Sequence, residues 1–483
     1  MTAISMLIDG RAAAASNGAV FERRNPLDGT VATTAPAATP EDARAAVEAA
    51  AKAFPAWSAM GPGGRRALLL KAAHALEAKG EAFAAAMARE TGASGLWAGF
   101  NVHLAAGMLT EAASLTTQID GQVIPSDVPG SLAMAVRQPA GVVLGIAPWN
   151  APVILGVRAV ATPLACGNTV VLKGSEISPA THGLIIEALQ EAGLPPGVVN
   201  FVTNAPKDAA AVVEAMVSHP AVRRVNFTGS TRVGKLIAQT CAAHLKQVVL
   251  ELGGKAPFIV LDDADLDAAV SGAAFGSFAN SGQICMSTER IVVDRKVADA
   301  FVAKLADKAA SLPLGDPRQG PVVLGSVVDM ATVERCNALI DDALAKGAKL
   351  VIGGRASNTL MPATLVDHVT PDMRIYHEET FAPVKAIVRV DGEEEAVRVA
   401  NDNEFGLSAA VFTRDAARGM NVARRIESGI CHVNGPTVHD EAQMPFGGVK
   451  GSGWGRFGGQ AGIDAFTELR WITVQTTERH YPF

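Results

Sequence analysis

The chain has 483 residues, of which 49% are hydrophobic and 19% charged, a balance that excludes a disordered chain and supplies large buried cores. That length exceeds what a single core fills and points to about three units. A formal net charge of −6, with no long basic run, excludes a nucleic-acid partner held through clustered Lys and Arg.

Only 5% of the residues are aromatic, so the interior is built mainly from Ala, Val, Leu and Ile. The five Cys residues are 166, 241, 285, 336 and 431. They are odd in number, widely spaced and free of any CxxC pair, which fits reduced thiols in the cytoplasm better than disulfides or a zinc site. No metal is expected. Met1 to Arg11 carries Asp9 and lacks the apolar core of a secretory signal. The most lipid-like stretch, Gly141 to Val157, is interrupted by Pro148, Asn150 and Pro152, so no membrane span is read there.

In chain order, Thr39-Pro40-Glu41-Asp42 opens a helix, with Thr39 as N-cap and Asp42 closing a capping box. Its Ala-rich run is expected to reach Phe54 and stop at Pro55, and a second helical region covers Arg65 to Glu90. Short apolar runs follow: Val142 to Ile146, Thr169 to Leu172, Val198 to Val202, Val222 to Phe227 and Gln247 to Leu250 read as buried strands. Helices at Ala180 to Ala192 and Val233 to His244 lie between them, the alternation of a parallel sheet covered on both faces. After Glu251-Leu252-Gly253-Gly254 a second series begins, with strands at Phe258 to Leu261 and Arg290 to Val293 and helices at Leu266 to Ala279 and Val297 to Leu312. Gln122 to Arg137 and Thr467 to Glu478 are extended segments able to pair as a small arm or as an ordinary edge hairpin.

Four thiols sit in apolar strand or helix contexts and read as small buried hydrophobes. Cys285 differs. It lies in the small, polar run Asn280-Ser281-Gly282-Gln283-Ile284-Cys285, where backbone can approach a substrate and a thiolate has room. Glu251 follows an apolar strand, so poor solvation is expected to raise its carboxyl toward the general-base range, although a capping or ion-paired Glu fits as well. Val225 to Gly234 runs strand, turn, helix, a geometry that offers N–H groups to a pyrophosphate, but a simple turn would also use Gly229. Lys173 and Glu176 close a strand, where a carboxylate can meet ribose hydroxyls or simply be solvated. Asn150, after Pro148-Trp149, can donate to a developing oxyanion or cap a turn.

Taken together, PWN (148–150), KGSE (173–176), FTGSTRVG (227–234), ELGGK (251–255), GQIC (282–285), EETF (378–381) and PFGGVKGSG (445–453) resemble the aldehyde dehydrogenase superfamily, in order and across nearly the whole chain. The resemblance implies an α/β fold with three parts. These are a Rossmann-like cofactor domain (1–120 and 139–252), a second α/β catalytic domain (253–447) and a small β oligomerisation arm (121–138 and 460–483). It implies Cys285 as nucleophile, Glu251 as general base and Asn150 as oxyanion donor alongside the Cys285 N–H. For NAD it implies Ile146, Trp149, Lys173, Glu176, Gly229, Ser230, Gly234, Leu252, Glu379 and Phe381. A homodimer or homotetramer is expected. Gly174-Ser175 departs from the Pro-Ala of many relatives and is expected to loosen that turn; Glu176 still favours NAD over NADP.

For substrate, Glu90 to His103, Gly282 to Asp294, Leu360 to Phe381 and Tyr481-Pro482-Phe483 are similar to salicylaldehyde dehydrogenases, while Asn434 to Gly448 is more similar to vanillin dehydrogenases. An aromatic aldehyde is therefore expected, salicylaldehyde first, with vanillin, benzaldehyde or an aliphatic semialdehyde as alternatives. Trp97, Arg158, His439 and Phe446 are the candidate pocket residues, Arg158 or His439 meeting a phenolic oxygen unless Arg158 pairs with a carboxylate and His439 is simply exposed. Two other chemistries remain open: a cofactor-independent thiol esterase, and release of the thioester to coenzyme A.

Overall fold

A parallel strand is reached only through a crossover, so apolar runs separated by helices assemble into parallel sheets with helices on both faces. The computed structural model, which describes residues 2–483, has two such sheets of seven strands each. The first runs Gln247–Glu251, Val222–Thr228, Val142–Ile146, Thr169–Lys173, Val199–Val202, Met6–Ile8, Arg11–Ala13. Its first five strands are parallel and the two N-terminal strands close the edge antiparallel. Alternate residues of one strand feed different cores: Val170 and Leu172 pack on one face, Val171 on the other.

Strand order runs outward in both directions from the neighbours Val142–Ile146 and Val222–Thr228. Sheets of this type bind ligands at that switch, beyond the carboxyl ends of the strands. Pro148-Trp149-Asn150, Gly174-Ser175-Glu176, Gly229-Ser230 and Glu251 all lie at those ends.

The chain then crosses from Glu251 to Ala256 and enters the second sheet. Its order is Lys349–Ile352, Thr364–Asp367, Val384–Val390, Thr288–Asp294, Ala256–Val260, Ser408–Phe412, Ile430–Val433, parallel throughout except at Lys349–Ile352. Cys285 stands just before Thr288–Asp294, and Glu379 and Phe381 just before Val384–Val390. The carboxyl edge of the first sheet therefore faces the amino edge of the second.

The two extended segments do pair: Thr467–Gln475 runs antiparallel to Ser131–Pro139 along its whole length, with Gly121–Ile124 as third strand. This arm exposes Val123 on one face and Leu469 and Trp471 on the other, at 71%, 63% and 78%, large apolar side chains that its own chain leaves uncovered.

Two expectations are corrected. The first helix, capped as expected by Thr39 and Asp42, continues through Pro55 to Ala59. Pro55 removes one N–H, but Trp57 is buried and its indole donates to the Leu164 carbonyl at 3.3 Å, which anchors the last turn. The region from Arg65 to Glu90 is two helices, Pro62–Ala78 and Gly80–Glu90, joined at Lys79. The lipid-like stretch splits into the strand Val142–Ile146 and the helix Pro152–Ala165, and among the described residues no helix is long and apolar enough to cross a membrane.

Candidate active site

Cys285, Glu251, Asn150, Glu379 and Phe381 come from four separate stretches of chain and line one cleft of about 460 Å³. Trp149, Gly229, Ser230 and Leu252 line it too. Backbone contact explains how the loops meet. A side chain on Gly254 would place its Cβ 2.2 Å from the Cys285 carbonyl oxygen, so only glycine lets the Glu251–Ala256 crossing lie against the Cys285 loop. The Gly254 N–H then donates to Glu379 at 3.0 Å.

The Cys285 loop is itself tightly wound. Asn280, Ser281 and Gly282 all have positive φ (49°, 54° and 73°), a run that non-glycine residues adopt only where the surroundings enforce it. Here the Gln283 side chain donates to the Asn280 and Ser326 carbonyls and accepts from the Val328 N–H. Asn280 donates to the Asn150 carbonyl at 2.9 Å, as does the Trp97 indole. The Asn150 side-chain amide donates to the Gln283 carbonyl at 3.1 Å, leaving its second N–H free for another acceptor.

Glu251 is 1% exposed, and neither carboxylate oxygen has a hydrogen-bond partner. Burial pushes its carboxyl up to about 7, with the nearby Cys285 thiol and Arg158 opposing. Cys285 is deep in the molecule yet open to solvent through the cleft. Burial and then the Glu251 charge push its thiol well above the ordinary range, so the group is held as a thiol; the free thiolate that its small, polar sequence context suggested is not the resting form.

The loop bearing Glu379 and Phe381 is fixed by a carboxylate that gave no motif. Glu289, on strand Thr288–Asp294, accepts from Lys255 at 2.7 Å, Lys385 at 3.3 Å, and the Thr380 N–H, Thr380 hydroxyl and Phe381 N–H at 3.0, 2.7 and 3.2 Å. Burial disfavours its charge, but the two ammonium groups outweigh this and hold its carboxyl far below the usual range. Phe381 sits at φ +47° and meets Trp149 edge-on, ring centroids 5.8 Å apart. Burial also pushes Glu379 up to about 7, Glu289 adding to it.

The remaining cofactor candidates divide. Ser230 caps helix Thr231–Ala243, whose N-terminus faces the cleft. Gly234 is placed beneath Leu252, where a Cβ would lie 2.4 Å from that side chain. Ile146 is buried at its strand end. Lys173 and Glu176 pair with each other outside the cleft wall, and Asn204 donates to Glu176 at 2.8 Å. Against the cost of burial, Lys173 keeps the Glu176 carboxyl below its ordinary value.

The expected looseness at Gly174-Ser175 is absent. The Gly174 N–H donates to the Val202 carbonyl at 3.0 Å, a bond proline could not make, and the Ser175 N–H donates to His182 Nδ1 at 3.0 Å. A Cβ on Gly174 would lie 2.7 Å from the Phe201 ring, so a tight turn is built around this glycine.

A second, apolar cavity shares Cys285 and Asn150 with the cleft, and Trp97, Phe100, Met286, Val438 and Phe446 form much of its wall. Arg158 lines it but is ion-paired with Asp440 and lies 4.0 Å over the Phe446 ring. His439 is not on the wall: it is half-exposed, bonds Glu441 at 3.0 Å and packs on His432. Its neighbour Asp440 takes the inward position. For these two residues the simpler alternatives hold. Sequence reasoning also missed Glu289, Gln283, Asp440 and the wall residues Asp329 and Arg335; a charged residue inside an apolar strand, as at 289, was the one usable signal.

A thiol beside an isolated carboxylate, between a cleft of about 460 Å³ and an apolar cavity, is an arrangement that suits an oxidoreductase of the two-sheet α/β class. The aldehyde dehydrogenase family model matches residues 13–472, and the chain belongs to that family, whose members act on aldehydes with nicotinamide cofactors. Among known proteins it is 63% identical over 479 residues to a vanillin dehydrogenase of Pseudomonas sp. strain HR199, covering 99% of each chain. It is 54% identical over 469 residues to a salicylaldehyde dehydrogenase of Pseudomonas putida, covering 97% of each. The crystal structure of a salicylaldehyde dehydrogenase from Pseudomonas putida G7 complexed with salicylaldehyde superposes with a TM-score of 0.98, at 52% identity and full coverage of both chains.

Two outcomes follow from the electrostatics. Because the folded-state carboxyl of Glu251 is raised to about 7 from an ordinary 4.5, its stabilising effect is complete below pH 4.5 and lost as pH rises through 7, a loss of roughly 3 kcal/mol. Glu251→Gln is expected to be more stable than the parent at pH 8, with the gap closing by pH 4.5, as read by denaturant melts across pH. Glu289→Gln leaves two buried ammonium groups short of one negative charge. It is expected to cost about 3 kcal/mol or more and to raise KM for the nicotinamide cofactor at least tenfold; an unchanged melting temperature would refute the clamp.

Proposed function

We propose that this protein oxidises an aromatic aldehyde to its carboxylate with NAD, through a covalent thioester on Cys285. The observation that carries this reading is that Cys285 and Asn150 belong to both cavities at once, one a wide cleft that also carries Glu251, Glu379, Asp329 and Arg335 and the other apolar and lined by Trp97, Phe100 and Phe446. A flat, apolar ring suits the second, with its carbonyl at the sulfur. The high identity to vanillin and salicylaldehyde dehydrogenases supports the same substrate class.

The residues present fit a dinucleotide: a helix N-terminus capped by Ser230, an aromatic pair at Trp149 and Phe381, and the buried carboxylate Glu379 on a fixed loop. In this reading residues 1–120 with 139–252 hold the cofactor, Lys173 and Glu176 meet its adenosine ribose and disfavour a 2′-phosphate, and residues 253–447 supply the nucleophile. When bound, the nicotinamide supplies the hydride acceptor.

The chain's own groups do the rest. Cys285 rests as a thiol, so attack on the carbonyl carbon requires a base, and Glu251 near 7 is the buried carboxylate beside it. The free Asn150 N–H, with the Cys285 N–H, stabilises the oxyanion, and one such donor is worth roughly 3 kcal/mol. Once the thiol proton has passed from it to solvent, Glu251 deprotonates water, which adds to the thioester carbonyl; the C–S bond breaks, the acid leaves and the sulfur takes a proton back from Glu251 to restore the thiol. Hydrolysis by water, rather than transfer to coenzyme A, is favoured because Glu251 has no other partner to occupy it.

The test is a steady-state scan of vanillin, salicylaldehyde, benzaldehyde and an aliphatic aldehyde with NAD and with NADP, without coenzyme A. Aromatic aldehydes with NAD are expected to give the highest kcat/KM. Cys285→Ala should abolish turnover, and Glu251→Gln should give one burst of NADH and then stall. Ester hydrolysis unaffected by NAD, or a clear aliphatic preference, would refute the reading.

The arm is proposed to join subunits into a homodimer or homotetramer, since Trp471, Leu469 and Val123 are otherwise left in water. Trp471→Glu is expected to lower the molar mass measured by light scattering; an unchanged mass would remove the arm from the interface. The five free thiols support a reducing compartment, the cytoplasm.

A further inference from the structure

Arg158 and Asp440 form an ion pair on the wall of the apolar cavity, each side chain only 6% exposed. The guanidinium is held from a second side by the Phe446 ring at 4.0 Å and a third by Phe457 at 5.8 Å. Arg158 therefore has one fixed position, and its Nη2 is spent on Asp440 Oδ2. The other carboxylate oxygen, Oδ1, is buried with no hydrogen-bond partner. A carboxylate oxygen is an acceptor only, and a buried acceptor left unmatched favours any ligand that brings it a donor.

Position says which ligand that is. Cys285 and Asn150 sit where the apolar cavity meets the cofactor cleft. Arg158, Asp440 and Phe446 sit where it meets a further small cavity, beyond which lie Met108, Glu111 and Met444. The ion pair is thus at the end of the cavity away from the sulfur, and an aromatic ring with its aldehyde on Cys285 directs its far edge toward Asp440.

We propose that Asp440 determines specificity by accepting, through Oδ1, a hydrogen bond from a ring hydroxyl meta or para to the aldehyde. This rests on the aromatic reading given above and narrows it to hydroxylated benzaldehydes whose O–H is remote from the carbonyl. An ortho hydroxyl lies next to the carbonyl, on the Asn150 side, and gains nothing from Asp440. Arg158 acts here as a positioning residue: its Nη2 fixes Asp440 by the other carboxylate oxygen, Oδ2.

The experiment measures kcat/KM with NAD for benzaldehyde and its 2-hydroxy, 3-hydroxy, 4-hydroxy and 4-methoxy derivatives, in the parent enzyme and in Asp440→Asn. The readout is the ratio of hydroxy to unsubstituted or methoxy substrate within each enzyme, so a general loss of activity cancels. In the parent, the 3- or 4-hydroxy compound is expected to exceed both benzaldehyde and the 4-methoxy compound by about ten- to a hundredfold. In Asp440→Asn, where an amide N–H replaces an acceptor, that ratio should fall to within about threefold of one. The parent panel stands alone if the variant does not fold. A parent without hydroxyl preference, a preference confined to the 2-hydroxy compound, or a ratio that survives in Asp440→Asn overturns the assignment. A parent inactive on every member of the panel instead overturns the aromatic reading itself.

Discussion

Two backbones pressed against each other organise this molecule. The crossing between the sheets carries Glu251 and approaches the Cys285 loop so closely that Gly254 has no room for a methyl group. Each sheet alone presents only fragments: strand ends with a turn on one side, strand beginnings with a loop on the other. The contact at Gly254 converts them into one site, and its N–H bond to Glu379 ties in a third loop. The positive φ values from Asn280 to Gly282 follow from the same demand, since the Cys285 loop must turn inside a wall already occupied by Ala382.

Burial at this junction sets the chemistry. A carboxylate and a thiol taken out of water both shift toward their neutral forms; the Glu251 charge raises the thiol further, while the thiol and Arg158 only partly offset the rise at Glu251. The resting site is therefore a thiol and a nearly half-protonated acid at neutral pH, poised for proton exchange within the protein. Stability is lost to keep Glu251 so, as is usual where a reactive group is held away from its preferred solvation. Glu289 shows the opposite arrangement. It is equally buried, but two ammonium groups and three donors from residues 380 and 381 saturate it, which makes it a fixed strut.

Much of this was legible in the sequence because local physics wrote it there. Apolar runs separated by helix signals gave the parallel strands of the first sheet almost to the residue, and the capping box at Thr39 and Asp42 marked a helix start. Glu251 could be read as a raised carboxyl because an apolar strand leads straight into it. What escaped depends on partners distant in the chain. Pro55 did not stop its helix because Trp57 anchors the turn on Leu164, over a hundred residues away. Glu289 looked like any charge until Lys255 and Lys385 met it. Gly174-Ser175 read as a loose turn, yet Phe201 and His182 make it a tight one.

His439 and Asp440 carry this point to the substrate side. Nothing in a string of letters decides which of two adjacent polar residues faces inward, because a one-residue rotation of a loop exchanges them. The choice is made by Arg158, fixed on a helix between Phe446 and Phe457, which can be buried there only with a carboxylate beside it. The buried cation selects Asp440 and leaves His439 to Glu441 and solvent. A carboxylate on the wall of a largely apolar pocket then follows from a packing requirement, and under the proposed role of Asp440 it would separate ring substrates that differ by a single hydroxyl.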